Sequence, residues 1–250
     1  MKEKIELKGL IIAAGKGERL SPVFPVKPLL PLGGQALIDW PVNALIQSGI
    51  REIIVVTGYE GQAVRNYLEN QPYFKEVSII FIQNDEWEKE NGLSVYKAKE
   101  IAGERFILLM SDHIFDPEII SLIKRQPLEP DELILAVDYR IDNHPYVDLE
   151  DVTRVQVDDG HITGIGKGIT PYQAFDTGIF YATPALFQAL EESQTITGNF
   201  TLSGGVRRLA ARKKARVMDI GKRFWIDVDT EEAWKKAEEL LKTQQKKTGG

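Results

Sequence analysis

The residues best equipped for chemistry gather near the start of the chain, where Gly15-Lys16-Gly17 is followed by Arg19 and Lys27. Glycine reaches backbone angles closed to other residues, so a Gly-x-Gly loop can turn its N–H groups toward an anion. Lys16, Arg19 and Lys27 add positive charge, and the chemistry this predicts is phosphate binding at the end of a strand. Neither of two familiar phosphate loops fits. A dinucleotide fingerprint needs a third glycine where Leu20 stands, and a P-loop needs Ser or Thr where Gly17 stands. An ordinary turn accounts for a lone Gly-x-Gly, but not for Arg19, Lys27-Pro28-Leu29 and Gly33-Gly34 following in order.

Carboxylates lie farther along. Asp112 follows the apolar run Phe106 to Met110, which puts a carboxylate at the mouth of a buried strand, where it must be paired or bind a metal. Trp225-Ile226-Asp227-Val228-Asp229-Thr230 is a second acidic cluster. Two carboxylates, Asp112 and Asp227, with no histidine or cysteine read as a ligand beside them, suit a hard ion such as Mg2+. Asp229 and Thr230 read as caps of the following helix. Gln83 can present a donor and an acceptor together, and Gly92, within Glu90-Asn91-Gly92-Leu93-Ser94, lets backbone approach a ring. A strand end and a plain turn explain the same residues. Lys167 lies between Gly166 and Gly168, a position equally open to a solvated surface lysine.

The elements that must hold these residues follow from periodicity. Leu10–Ala14, Ile53–Thr57, Val77–Ile82 and Phe106–Met110 are short apolar runs, predicted as buried strands. Helical spacing is expected over Ala36–Ser48, Gly61–Glu69 and Gly92–Ala102. Such alternation implies a mainly parallel sheet covered on both faces, with ligands at the C-terminal strand ends. From Leu133 short β runs dominate: 133–137, 152–157, 161–165 and 175–182, with Asp158-Asp159-Gly160 as a hairpin turn. Helices over 184–192 and 201–213, a strand at 215–218 and an amphipathic helix over 231–241 complete the chain. With no Gly/Ser/Pro-rich linker, we expect one domain over 1–250. A nucleotide half spans 1–130, an acceptor half 131–230, and a C-terminal helix and frayed tail 231–250.

Composition sets limits. The 250 residues are 43% hydrophobic and 27% charged, as in a soluble globular protein. A net charge of −6 with no basic stripe argues against a general nucleic-acid surface. The absence of cysteine excludes disulfides, thiolate zinc sites and cysteine nucleophiles, and three histidines make a histidine metal site improbable. No apolar region follows Met1-Lys2-Glu3-Lys4, and no run approaches about 18 apolar residues, so a cytoplasmic protein is expected.

Taken together, the first loop, Lys27-Pro28-Leu29 and Gly33-Gly34 resemble the signature of nucleotidyltransferases that join a nucleoside triphosphate to a sugar- or alcohol-phosphate. The segments around Glu90–Ala98, Leu108–Phe115, Phe175–Phe180 and Trp225–Thr230 look most like the inositol-1-phosphate cytidylyltransferase family. The resemblance implies an α/β fold: Rossmann-like, three-layer α/β/α, a mixed and mostly parallel sheet with a small β insertion on the acceptor side. It implies that Ala13, Ala14, Gly15 and Gly17, with Gln83, Gly92 and Ser94, bind the nucleotide. Lys16, Arg19 and Lys27 would act on the reacting phosphates, and Asp112 and Asp227 would hold Mg2+. Lys167, Asp176 and Thr177 would line the acceptor pocket, with Asp138, Asp142 and His144 as weaker candidates. Gly166 stands where the family has a glutamate, which implies a different polyol contact. The implied substrates are CTP and inositol 1-phosphate, with no nucleic-acid partner and a homodimer possible. Relatives of this kind are often fused to a membrane phosphotransferase that consumes CDP-inositol for di-myo-inositol phosphate, a thermophile solute. This sequence is read as a stand-alone enzyme or an isolated domain. Another acceptor (phosphocholine, a phosphonate, a hexose 1-phosphate), UTP or dTTP, a nucleotide-sugar glycosyltransferase and a nucleotide sensor remain as alternatives.

Overall fold

The structure, a computed structural model, describes residues 7–20, 24–142 and 144–248, with side chains as far as residue 243. The N-terminal Met1–Lys4 stretch read for a leader lies outside the described residues. In chain order the strands are β1 (Lys8–Ala13), β2 (Pro31–Leu32), β3 (Gln35–Ala36), β4 (Glu52–Thr57), β5 (Ser78–Gln83), β6 (Phe106–Met110) and β7 (His113–Phe115). They continue as β8 (Leu133–Asp138), β9 (Arg154–Asp158), β10 (His161–Gly166), β11 (Ala174–Ala182), β12 (Ala215–Asp219) and β13 (Trp225–Asp227). The helices are α1 (Asp39–Gln47), α2 (Gly61–Glu69), α3 (Asn91–Tyr96), α4 (Glu118–Ile123), α5 (Ala185–Thr197), α6 (Leu202–Ala211) and α7 (Glu231–Thr248).

Nine strands form one sheet in the order β5-β4-β1-β6-β11-β8-β12-β10-β9. The first four are parallel, as the alternation of strands and helices requires. Beyond them the sheet is mixed. Strand β11 runs antiparallel to both β6 and β8, and β9 bonds back to β11, so the far strands close on themselves. The period-2 rule sorts the strands' side chains onto two faces. Leu10, Ile12, Ile54 and Val56 pack with α3, α5 and α6, whereas Ile11, Ala13, Ile53 and Val55 pack with α1, α2 and α4. The result is three layers.

A third cluster matters most for the site. Leu20, at the end of the first loop, is buried with Leu30, Leu32 and Leu37 around the β2–β3 hairpin, with Ile114, Ile226 and Val228, and with Ala237, Leu240 and Leu241 of α7. Gly33 and Gly34, both at positive φ, make that hairpin turn, and Glu238 of α7 accepts the Gly33 N–H at 2.7 Å. Loop, hairpin and last helix are thus one apolar unit under the charged residues.

Three local expectations are corrected. The helix expected to Ala102 stops at Tyr96 and continues as turns. The tail read as frayed is helical to Thr248. The pair β7–β13, too short to show a period, escaped the sequence reading.

Candidate functional site

Strand β1 ends at Ala13, and the following loop stays against the sheet. The carbonyl of Ala14 accepts the Tyr59 N–H at 2.9 Å. Of the two loop glycines only Gly17 uses positive φ (66°), and a Cβ there would lie 2.5 Å from Lys27 Cδ. Gly15 has an ordinary φ and open space where a Cβ would be, so of the freedom that glycine offers this loop only Gly17 makes use. Lys16 lies over the Tyr59 ring, 5.6 Å from its centroid.

Asp112 and Asp227 meet because β7 and β13 pair antiparallel, with Asp227 opposite His113, and because Val228 donates its N–H to the Asp112 carbonyl at 2.9 Å. His113 lies between the two carboxylates, its Nε2 3.8 Å from Asp112 and 3.6 Å from Asp227. Its Nδ1 faces the Thr177 carbonyl at 2.8 Å and therefore carries a proton. A two-residue register shift in β11, with Gly178 at φ 73°, opens the space for this ring. Burial works against a charged His113, but Asp227 and Asp112 lift its pKa to about 9.

The cations and carboxylates form one alternating chain. Lys27, only 6% exposed, donates to Asp112 at 2.6 Å and to Asp229. Arg19 donates to the same Asp229 and, at 2.9 Å, to Asp151, and Asp151 also takes Lys167. Burial favours a neutral Asp112, yet Lys27 and His113 hold its carboxyl at about 2. Asp176 is the opposite case. Burial pushes it up to about 6, against the Gly178 N–H that it accepts at 2.8 Å.

A cavity of about 520 Å3 collects Arg19, Asp112, Asp151, Lys167, Asp176 and Asp227 on its walls. Two groups on it have the spacing of metal ligands: Asp112 with His113 and Asp227, and Asp151 with Asp227 and Asp229. Asp227 belongs to both, and its Oδ1 is buried without a hydrogen-bond partner among the described residues. An orphaned carboxylate oxygen beside a second carboxylate is the donor set of a hard cation, so the residues fit a divalent ion.

Other sequence-predicted residues stand apart. Gln83 lies at the end of β5, its amide accepting from Thr57 at 3.0 Å and donating to the Gly58 carbonyl at 3.1 Å. Ser94 is buried and accepts from Asn84 at 3.0 Å. The close approach at Gly92 is to protein, not to an open ring site: a Cβ would meet the Phe200 carbonyl and Leu190, the latter at 2.8 Å. Asp138 is fully buried and saturated, accepting from Trp225 at 2.8 Å, facing His144 at 3.0 Å and pairing Arg140 at 2.7 Å. Thr177 is equally buried and donates to the Ala136 carbonyl at 2.8 Å. Asp138, His144 and Thr177 therefore stand behind the cavity, and like Asp142 they are not on its wall.

The sequence reading missed three residues. Asp229 and Thr230 were both expected to cap α7; Thr230 does so, accepting the Ala233 N–H at 3.1 Å, whereas Asp229 pairs with Lys27 and Arg19. Asp151 carried no motif, and His113 was passed over beside Asp112.

Comparison with known proteins agrees with this architecture. The family model for the MobA-like NTP transferase domain matches residues 9–196. The bifunctional IPC transferase and DIPP synthase of Aquifex aeolicus is 33% identical over 247 residues, covering 96% of this chain and 53% of its own. The protein of that name from Thermococcus kodakarensis is 31% identical, covering 97% and 52%. The chain thus spans about half the length of these curated relatives. Among solved structures, the inositol-1-phosphate CTP transferase from T. maritima superposes with a TM-score of 0.83 at 25% identity, covering 95% of this chain and 96% of its own. No helix among the described residues is long and apolar enough to cross a membrane.

Proposed function

From the premise that the chain belongs to the MobA-like NTP transferase domain family, and is a nucleotidyltransferase, we propose that it joins CTP to inositol 1-phosphate, releasing pyrophosphate and CDP-inositol. The observation that carries the reading is the convergence of Arg19 and Lys167 with Asp112 and Asp227 around one cavity, with the buried Lys27 paired to Asp112. Likeness to the T. maritima inositol-1-phosphate CTP transferase over 95% of the chain supports the substrate pair.

The chemistry follows from charge. A phosphate monoester has its second pKa near about 6 and is mostly dianionic at neutral pH, so it needs no general base. An acceptor phosphate oxygen attacks the α-phosphorus, a new P–O bond forms, and the bond to the β-phosphate oxygen breaks, its electrons leaving with pyrophosphate. The protein has to position two anions in line and offset their repulsion. In this reading Lys27 and Arg19 exchange Asp112 and Asp229 for the triphosphate, while Lys167 takes the acceptor phosphate. Asp112 and Asp227 would hold Mg2+, which when bound adds positive charge between the two substrates. Gln83, Gly15 and Lys16, outside the acceptor cavity, remain the proposed nucleotide contacts, and a membrane phosphotransferase the proposed consumer of the product.

Pyrophosphate release is the test, crossing CTP, UTP and dTTP with inositol 1-phosphate, phosphocholine and glucose 1-phosphate in the presence of Mg2+. Release with CTP and inositol 1-phosphate alone is the expected result. Release only with another pair overturns the substrate assignment and keeps the reaction class.

A further inference from the structure

One carboxylate on the cavity wall links cations from distant parts of the chain, and the transfer described above gives it no part. Asp151 lies in the segment between β8 and β9. Its Oδ2 accepts from Arg19 of the first loop at 2.9 Å, and its Oδ1 from Lys167 in the turn after β10. The turn that carries Asp151 is braced. The Asp151 and Val152 N–H groups both reach the Asp148 carbonyl, at 3.2 and 2.9 Å, and the Asp148 side chain accepts the Glu150 N–H at 3.0 Å. The Thr153 carbonyl then accepts from Asp176 at 3.0 Å, tying the turn to β11.

Asp229 also accepts from Arg19, but among the described residues Asp151 is the one carboxylate that reaches both cations. The Arg19 and Lys167 side chains are 45% and 60% exposed, long and rich in rotamers. A carboxylate on a fixed turn, with one oxygen for each, sets both cations at a defined separation before any substrate enters. That separation matters because the two cations are assigned to different substrates.

We propose that Asp151 is a positioning residue for nucleotidyl transfer, holding Arg19 and Lys167 so that the triphosphate and the acceptor phosphate are brought into line. The proposal rests on the transferase reading for the parts played by Arg19 and Lys167. The carboxylate touches neither reacting atom in this scheme and acts through its two cations.

Asp151→Asn, which keeps the shape and removes the charge, and Asp151→Glu, which restores the charge one methylene away, are the test variants. Hydrogen exchange is measured on the free protein, and kcat and both KM values on the substrate pair that the wild type turns over. In Asp151→Asn exchange should rise in both segments 15–20 and 161–168, with the unfolding midpoint held. Its kcat should fall by about ten- to a hundredfold, with both KM values within about threefold of wild type. Asp151→Glu should recover part of kcat. Unchanged kcat and exchange would overturn the proposal. So would a lower acceptor KM at unchanged kcat, which would make Asp151 a stand-in for a substrate phosphate. A wild type active on a pair other than CTP and inositol 1-phosphate would refute the substrate reading, and the variants are then compared on that pair. With a wild type active on no pair, exchange decides: unchanged protection in both segments refutes the positioning role.

Discussion

Replacing Lys27 by methionine tests the alternating charges where they are most buried. Lys27 is 6% exposed, and its ammonium sits between Asp112, at 2.6 Å, and Asp229. Methionine keeps the length of the stem and removes only the charge. Breaking a fully buried pair costs about 3–5 kcal/mol, because a carboxylate is left without compensation. Here the Asp112 and Asp229 side chains remain 26% and 25% exposed, so water recovers part of that, and we expect a loss of about 1–3 kcal/mol at pH 7. The loss should depend on pH with a definite sign. Burial pulls the Asp112 carboxyl up, but Lys27 and then His113 outweigh it and hold it at about 2, below its ordinary 3.8. A group whose folded pKa is depressed stabilises fully above its unfolded value and ceases to do so as pH falls through the folded one. The gap between wild type and Lys27→Met should therefore be widest above pH 4 and narrow toward pH 2. Urea unfolding of both proteins across that range measures it, and activity at pH 7 should fall about 100- to 1000-fold. A variant as stable as wild type at pH 7, with no narrowing toward pH 2, would refute the clamped-lysine account.

Other substitutions probe the scaffold. Gly92→Ala would drive a methyl into the Phe200 carbonyl and within 2.8 Å of Leu190, and should cost about 1–3 kcal/mol by denaturant titration. Trp225→Phe removes the indole N–H that Asp138 accepts at 2.8 Å. We expect about 1–3 kcal/mol of lost stability, and a raised acceptor KM through the neighbouring Asp227, read from urea curves and steady-state kinetics. Tyr67 gives its proton to Asp39 at 2.6 Å, and burial with that carboxylate raises its pKa to about 12. Since the neutral form is favoured in the fold, the stability gap between wild type and Tyr67→Phe should hold below pH 10 and shrink between pH 10 and 12 in thermal melts.

What the sequence disclosed follows from the range of its signals. Strands β1, β4 and β6 were legible because four or five consecutive apolar residues buried on both faces have few other uses, and α2 because its spacing is helical. Asp112 stood out as a carboxylate after an apolar run, Arg19 and Lys27 as cations after a Gly-x-Gly loop, and Asp227 as part of an acidic cluster before the last helix. What joins them was not legible. The β7–β13 pair is three residues long on each side, and the register that sets Asp227 against His113 is a long-range fact. Asp151 meets Arg19 across 132 residues of sequence, with no local pattern to mark it. Thr230 was legible as a cap, but Asp229 was misassigned with it because an aspartate before a helix is a good cap on local grounds, and only the tertiary fold brings it to Lys27 and Arg19. Gly92 was read as letting backbone approach a ring; its close packing on the Phe200 backbone is a long-range contact that no local pattern marks.

In the proposed reaction charge and alignment alone carry the transfer, with the acceptor phosphate attacking the α-phosphorus directly. Stereochemistry tests it most sharply: one diastereomer of CTP carrying sulfur on the α-phosphorus is turned over with inositol 1-phosphate, and the configuration of the product is determined. A single in-line displacement predicts inversion. Retention would require two displacements through a covalent nucleotidyl-enzyme, and would contradict the account.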